Sequence, residues 1–232
     1  MLAMEQPADL TAEAARDAKV AVLNQVEPVR HDEVLVGQYI AANGKPGYKE
    51  DETVPKDSRT PTFAALALRI NNDRWRGVPF ILKAGKALDE GKVDIRIQFK
   101  ESSAQVAGAE RNELVLRIQP GEAAYIKVNT KLPGVGSTAA PVEMDLTYAK
   151  RFHDMHVPEA YEALILDALR EDQSNFVRDD ELLASWAIFT PVLHAIDKGE
   201  FQLAQYPYGS RGPEEIDEYM ERLGFRRTYA SC

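Results

Sequence analysis

Four segments of alternating apolar and polar side chains constrain the fold of this chain more than any other feature of its sequence. They lie at residues 93–99, 113–119, 122–129 and 143–148. Successive side chains of a β-strand point to opposite faces, so each segment predicts a strand with one apolar and one polar face. If the four strands pair as an antiparallel meander, the apolar side chains form one surface that helices would cover.

The opposite surface, called the polar face below, would gather three cations beside an aromatic ring and several neutral or acidic groups. Its predicted members are Arg96, Arg117, Lys127, Tyr125, Gln98, Gln119, Asp145 and Thr147. Arginine and lysine bind phosphate and tyrosine stacks on rings, so this set suits a phosphorylated, partly aromatic ligand. The same residue types are ordinary on a solvated sheet face, and the pattern alone leaves both interpretations open.

Further cations precede the first of these strands. Lys83, Lys86 and Lys92 occur at close intervals and are interrupted by Gly85 and Gly91. Because glycine lets a backbone turn tightly and approach a ligand closely, this stretch is a second candidate for anion binding.

Helical patterns flank the strands. Thr11 can cap a helix over residues 12–25, and after residue 150 the apolar period changes from two to 3.6. Pro158 and Asp179 or Asp180 are the predicted helix starts there, and a last helix follows Pro213 after a rigid turn that presents Arg211. We therefore predict an α+β fold, with a large, mostly antiparallel sheet and helices packed on one face.

Composition narrows the possible functions. The net charge of −9 argues against general affinity for nucleic acid or anionic membranes. The single cysteine, Cys232, excludes disulfide scaffolds and cysteine-based metal sites, and it fits a reducing compartment. No apolar run approaches the ~20 residues that a membrane-spanning helix needs.

The motifs of self-contained catalysis are not found. No Gly-x-Gly-x-x-Gly follows a predicted strand, and there is no Walker loop, nucleophile elbow or triad. His153 and His156 have a spacing that could suit a metal, but no framework of carboxylates or cysteines accompanies them, so we predict no metal. These observations predict a binding and assembly domain.

A set of short motifs occurs together and in order. They are RW at 74–75, GVPFIL at 77–82, GKAL at 85–88, RNEL at 111–114, IQP at 118–120, DLTY at 145–148, FVR at 176–178, YGSRGP at 208–213 and LGF at 223–225. From Met1 to about Phe225, the chain resembles the carboxy-terminal domain of the glucose-6-phosphate dehydrogenases. On this resemblance, residues 1–232 form that domain without the Rossmann domain that precedes it in the family.

The resemblance implies an NADP-dependent oxidation of glucose 6-phosphate to 6-phosphogluconolactone, the first step of the oxidative pentose phosphate pathway. It also implies a second, structural NADP, a homodimer through the sheet, a possible dimer of dimers, and a cytoplasmic location, with a plastid left open. The family's cofactor fingerprint and its histidine base precede the part that Met1 matches, so no catalytic residue is assigned and these 232 residues alone are expected to be inactive.

The resemblance also implies site residues. Lys86 and Gln119 match positions that contact the substrate. The positions that match the structural NADP site are Lys83, Lys92, Arg96, Arg117, Tyr125, Lys127, Asp145, Thr147 and Arg211. Gly91 stands where family members use an arginine towards the substrate, and Arg227 lies near the position of an aromatic residue that stacks on the second NADP.

Three readings remain open from the sequence. The first is a part of the dehydrogenase. The second is a truncated, non-catalytic homologue that binds NADP or pairs with the full-length enzyme. The third is a sheet-based RNA binder, which the negative net charge and the lack of an aromatic platform disfavour.

Overall fold

A computed structural model describes residues 1–101, 109–155 and 158–227 of the chain. The chain divides into two compact units, the first made of Met1–Asp89 and Val157–Leu223 and the second of Glu90–His156 and Gly224–Cys232. The elements in chain order are α1 Ala12–Leu23, β1 Val34–Ile40, β2 Phe63–Leu68, β3 Phe80–Gly85, β4 Val93–Gln98, β5 Glu113–Gln119, β6 Ala123–Lys131, β7 Ala139–Thr147, α2 Tyr148–Arg151, α3 Ala160–Leu169, α4 Asp179–Asp197, β8 Ala204–Pro207 and α5 Ile216–Arg222.

The predicted α+β class with mostly antiparallel strands is confirmed. The strands form two four-stranded sheets, with the orders β3-β2-β1-β8 and β4-β5-β6-β7, where one large sheet was expected. Two strands of the first sheet were not predicted as such. Strand β3 pairs antiparallel with β2, and strand β8 pairs parallel with β1.

Buried side chains line both faces of the first sheet. Phe63 and Ala65 on β2 pack with Ile216 and Tyr219 of α5. Val36 on β1 packs with Val192 and Ile196 of α4 in a second cluster. Neighbouring residues of a strand point to opposite faces, so the helices of the first unit cover two faces of its sheet rather than the single face expected.

The helix starts after Thr11 and at Asp179 follow the predicted signals, whereas α3 begins at Ala160 rather than at the predicted Pro158. The side chain of Thr11 accepts a hydrogen bond from the backbone nitrogen of Ala14 and caps α1. Helix α4 begins at Asp179 with three acidic residues in its first turn, where they favour the positive end of the helix dipole. Pro191 lies inside α4. Among the described residues, no helix is long and apolar enough to cross a membrane.

The second unit contains the predicted antiparallel meander. Its apolar face consists of Ile95, Ile97, Leu114, Leu116, Ala124, Ile126, Met144 and Leu146, which lie opposite one another in the register of the four strands. The expectation that helices cover this face is wrong in the described part of the chain, because Met144 is 64% exposed and Leu146 is 36% exposed. The nearby helix α2 is only four residues long, too short to cover four strands.

Tyr206 on β8 ties three segments of the first unit together. Its side chain is fully buried. Its hydroxyl donates to the backbone oxygen of Lys86 at 2.9 Å and lies 2.9 Å from the hydroxyl of Thr62. The backbone nitrogen of Lys86 also donates to the oxygen of Thr62 at 2.8 Å. Tyr206 and Thr62 therefore hold the backbone at the end of β3 in a defined position.

We expect the Tyr206→Phe variant to lower the free energy of unfolding by about 1–3 kcal/mol, because it removes the hydrogen bonds of a buried hydroxyl and leaves the partly buried carbonyl of Lys86 without its donor. Tyr208→Phe is the matched control, since the half-buried ring of Tyr208 packs edge-on against Tyr39 and should change stability by less than about 0.5 kcal/mol. Urea unfolding of both variants measures the difference, and equal stabilities would contradict the role assigned to the Tyr206 hydroxyl.

Candidate functional site

The register of the second sheet assembles the polar face. One row across β4 to β7 contains Arg96, Val115, Tyr125 and Asp145. The adjacent rows contain Asp94, Arg117, Ala123 and Thr147 on one side and Gln98, Glu113, Lys127 and Glu143 on the other. Residues directly opposite each other share a face, so the three predicted cations and the tyrosine ring occupy one surface.

Asp94 lies between two guanidinium groups of this face. Its carboxylate accepts from Nε of Arg117 at 2.9 Å and from Nη2 of Arg117 at 3.4 Å. The second oxygen also lies 3.3 Å from Nη2 of Arg96. The side chain of Asp94 is only 6% exposed, whereas those of Arg96 and Arg117 are each 31% exposed. A buried carboxylate therefore holds two partly exposed cations.

Glu113 holds Arg96 from the other side. Nη1 of Arg96 donates to Oε1 of Glu113 at 2.8 Å, and the Glu113 residue is fully buried. The other oxygen, Oε2, has no hydrogen-bond partner among the described residues. Lys127 is directly opposite Glu113 in the register and pairs with Glu143 at 3.4 Å. Each cation of the polar face thus has a carboxylate partner.

These contacts perturb the ionisation of the groups. Burial by itself would raise the pKa of Asp94, but the hydrogen bond and charge of Arg117 and the charge of Arg96 outweigh it and lower that pKa. The hydrogen bond that Arg117 donates to Asp94 raises the pKa of Arg117. Burial would lower the pKa of Arg96, but Glu113 and other negative neighbours raise it. All three groups therefore remain ionised at neutral pH.

The ring of Tyr125 is the aromatic element of the polar face. It lies between Val115 and Asp145 in the register and is half-buried. Burial raises the pKa of its hydroxyl, which stays protonated at neutral pH. On the next strand the Thr147 hydroxyl donates to Asp145 at 2.7 Å. Hydroxyl and carboxylate oxygens beside a ring can accept hydrogen bonds from the hydroxyls of a ribose.

Two ends of the polar face carry other predicted residues. Gln119 is exposed at the end of β5, opposite Val93, where the register shifts between Val93 and Asp94. Lys92 pairs with Glu90 just before β4. At the opposite end, the side chain of Gln98 bonds the backbone of Arg226, so the predicted amide of this face is already engaged by the chain itself.

Three predicted site residues belong to the first unit. Lys86 follows β3 with its side chain exposed and its backbone bonded to Thr62 and Tyr206. Lys83 donates to the backbone oxygen of Arg211 at 2.8 Å. Arg211 forms a bidentate pair with Asp217, both contacts at 2.8 Å, which lowers the pKa of that carboxyl. Lys83 and Arg211 are thus neighbours, and Lys86 lies beyond the end of the same strand as Lys83.

The carboxylates Asp94, Glu113 and Glu143 were not identified as partners of the predicted cations. The signal was present, because strict alternation assigns Asp94 to the face of Arg96 and Glu113 to the face of Arg117. The affinity of arginine and lysine for phosphate predicts a site without regard to the acidic residues opposite them. Only the register shows which pairs are in contact.

The predicted absence of a metal site is not tested over the whole chain. No group of three histidine, cysteine, aspartate or glutamate side chains suited to a metal occurs within residues 1–101, 109–155 and 158–227. His153 lies 3.1 Å from Asp154, whereas His156 and Cys232 are outside the described residues.

Comparison with known proteins gives close relatives along the full chain. Glucose-6-phosphate 1-dehydrogenase of Emericella nidulans is 54% identical over 235 residues, covering 100% of this chain and 46% of that protein. The Arabidopsis thaliana protein named glucose-6-phosphate 1-dehydrogenase 5, cytoplasmic, is 51% identical over 232 residues, covering 99% of this chain and 44% of that protein. The chain therefore spans about half the length of the curated relatives it matches.

Solved structures give the same result for the fold. A glucose-6-phosphate dehydrogenase in complex with its substrate glucose-6-phosphate superposes with a TM-score of 0.92 at 47% identity, over 98% of this chain and 48% of that one. The Mycobacterium avium glucose-6-phosphate 1-dehydrogenase superposes with a TM-score of 0.80 at 29% identity, over 100% of this chain and 47% of that one. The sequence model of the family described as "Glucose-6-phosphate dehydrogenase, C-terminal domain" matches residues 1–229, and the chain belongs to this family.

Proposed function

We propose that this chain forms the carboxy-terminal domain of an enzyme that oxidises glucose 6-phosphate with NADP. The observation that carries the proposal is the family match over residues 1–229. The Rossmann domain and the catalytic base would be supplied by sequence that corresponds to the half of the relatives outside this match. Relatives named as cytoplasmic support a cytoplasmic enzyme.

Lys86 and Gln119 are the proposed contacts to the sugar phosphate. An exposed ammonium on a fixed backbone is suited to a phosphate, because the charge is available and little backbone entropy is lost on binding. An exposed amide such as that of Gln119 can donate to and accept from sugar hydroxyls. NADP bound by the complete enzyme would accept the hydride, and the role of these two residues is to hold the substrate.

The polar face fits a second NADP in its donor and acceptor chemistry. Within the described part of the chain, Nη1 of Arg117 and Nε of Arg96 have no hydrogen-bond partner, and both guanidinium groups are partly exposed. Their remaining N–H groups can bind phosphate oxygens. Tyr125 offers a ring for stacking, and Asp145 and Thr147 offer acceptors for ribose hydroxyls. In the second unit the proposed set is Lys92, Arg96, Arg117, Tyr125, Lys127, Asp145 and Thr147, and the family resemblance alone adds Lys83 and Arg211 of the first unit.

A second copy of the chain is the proposed partner of the apolar face. The side chains of Met144 and Leu146 on β7 are exposed, and those of Ile95, Ile97, Leu114, Leu116 and Ile126 on the other strands are half-buried. Contiguous apolar surface of this kind marks interaction sites in soluble proteins, and a twofold dimer would bury the same face of both copies. The proposed assembly is a homodimer through the second sheet, with association into a dimer of dimers as a further step.

A chimaera tests the proposed reaction. Joined to the amino-terminal half of the Emericella nidulans relative, this chain should reduce NADP in the presence of glucose 6-phosphate, whereas the 232 residues alone should not. Lys86→Ala in the chimaera should raise KM for glucose 6-phosphate roughly tenfold or more, the scale of a lost charge-assisted hydrogen bond, with a smaller effect on KM for NADP. The exposed Lys45→Ala is the control. Activity in the isolated chain, or an unchanged KM for Lys86→Ala, would contradict the assignment.

Calorimetry tests the second NADP site on the isolated chain. Arg117→Ala should weaken NADP binding by roughly 1–3 kcal/mol, because it removes a charge-assisted hydrogen-bond donor to phosphate. Arg151→Ala removes the same charge from an exposed position on α2 in the same unit and should leave the affinity unchanged. Absence of heat with NADP in every protein, or equal affinities in the two variants, would reject the site.

Light scattering tests the dimer. We expect Met144→Lys to shift the chain towards monomer, because a dimer through the apolar face would have to bury the added charge. Ser137→Lys adds the same charge in the exposed turn between β6 and β7 and should not change the measured mass. A wild-type monomer at all accessible concentrations, or a Met144→Lys variant that remains dimeric, would exclude this interface.

A further inference from the structure

The charge balance of the polar face points to a role for Asp94. The cations Arg96, Arg117 and Lys127 share this face with the carboxylates of Asp94, Glu113, Glu143 and Asp145. A surface with more carboxylates than cations does not attract a multiply charged anion by its net charge. An anion must therefore obtain its binding energy from individual N–H groups and must compete with the carboxylates that already use them.

Asp94 is the carboxylate in the most direct competition. It contacts both Arg117 and Arg96, at 2.9 Å and 3.3 Å respectively. Carboxylate and phosphate oxygens bind the guanidinium fork in the same way. A phosphate that approaches either arginine beside Asp94 encounters N–H groups that already donate to the Asp94 oxygens.

Glu113 differs from Asp94 in its position relative to the two arginines. It accepts from Nη1 of Arg96, is fully buried, and has no hydrogen bond with Arg117 in the described part of the chain. Removing Glu113 would leave Arg96 without its buried support, whereas removing the charge of Asp94 would leave Arg96 paired with Glu113. Asp94 is therefore the acidic residue whose neutralisation frees N–H groups of both arginines, while Arg96 keeps Glu113 as a partner.

We propose that Asp94 is an internal competitor for the nucleotide phosphates and limits the affinity of the polar face for NADP. This inference rests on the second NADP site proposed above. When a phosphate binds, the guanidinium groups of Arg96 and Arg117 exchange contacts with Asp94 for contacts with phosphate oxygens. The negative charge of Asp94 then lies close to the ligand, and its repulsion lowers the affinity.

The proposal predicts that removing the charge of Asp94 strengthens NADP binding. A purely supporting role of Asp94 predicts that the same change weakens it. Asp94→Asn removes the charge but retains a side-chain oxygen that can accept from Arg117. It should tighten NADP binding by roughly fivefold or more at low salt, and the gain should shrink as ionic strength screens the charge. If Asp94 instead positions Arg117 for the ligand, the same substitution weakens binding.

The experiment is calorimetric titration of NADP, and of inorganic pyrophosphate as a ring-free probe, into the 232-residue chain and its Asp94→Asn variant. Asp154→Asn is the matched control, because it removes the same charge from a side chain that is 88% exposed in the same unit. Tighter binding of both ligands by Asp94→Asn alone is the expected result. A gain for NADP without one for pyrophosphate would overturn the proposal, because the competition is for phosphates.

The remaining outcomes separate this inference from the function on which it rests. Wild-type binding with an unchanged or weakened Asp94→Asn variant overturns the role of Asp94 and leaves the NADP site intact. Binding by the variant alone supports the competition. Absence of binding in both rejects the site and the inference together. Asp94→Ser gives a second neutral variant, and loss of folding in both would show that the carboxylate is required for the sheet and would also overturn the proposal.

Discussion

The polar face of the second sheet depends on the ion pairs that Asp94 and Glu113 make with Arg96 and Arg117. Buried carboxylates are costly unless cations and hydrogen bonds compensate them, so each of these acids requires an arginine within reach. The register of β4 and β5 places Arg117 opposite Asp94 and brings Arg96 within hydrogen-bond distance of Glu113. The same pairs fix the guanidinium groups at a partly exposed level, where a phosphate could reach them. The same contacts therefore stabilise the sheet and occupy guanidinium N–H groups that an anion would need.

In the first unit, too, a buried polar side chain positions a residue that is proposed to contact the ligand. Tyr206 is a buried polar group whose hydroxyl is satisfied by Thr62 and by the backbone of Lys86. Because the loss of a hydrogen bond from a buried hydroxyl is unfavourable, this bond couples the packing of β8 to the position of the lysine after β3. Asp94 on β4 thus holds Arg117 on β5, and Tyr206 on β8 holds the backbone of Lys86 after β3.

Much of this arrangement could be predicted from the sequence, for reasons that particular residues make clear. The period of two in β4 to β7 is visible without any structure, and so is the cap that Thr11 gives to α1. Strand β3 was missed because Phe80–Gly85 does not alternate and contains Lys83 in its middle. Strand β8 was missed because Ala204–Pro207 is short and ends in proline, which reads as a turn. The division into two sheets depends on pairings between residues distant in sequence, which local patterns do not encode.

Hydrogen exchange followed by mass spectrometry, with and without NADP, tests most directly whether the polar face of the second sheet is a nucleotide site. The account predicts slower exchange in β4, β5 and β6 when NADP is present, because a ligand bound to Arg96, Arg117 and Tyr125 would stabilise the strands that carry them. Strands β1 and β2 of the first unit should show much smaller changes. Exchange that is unaltered in β4 to β6, or slowed only in β1 and β2, would contradict the account.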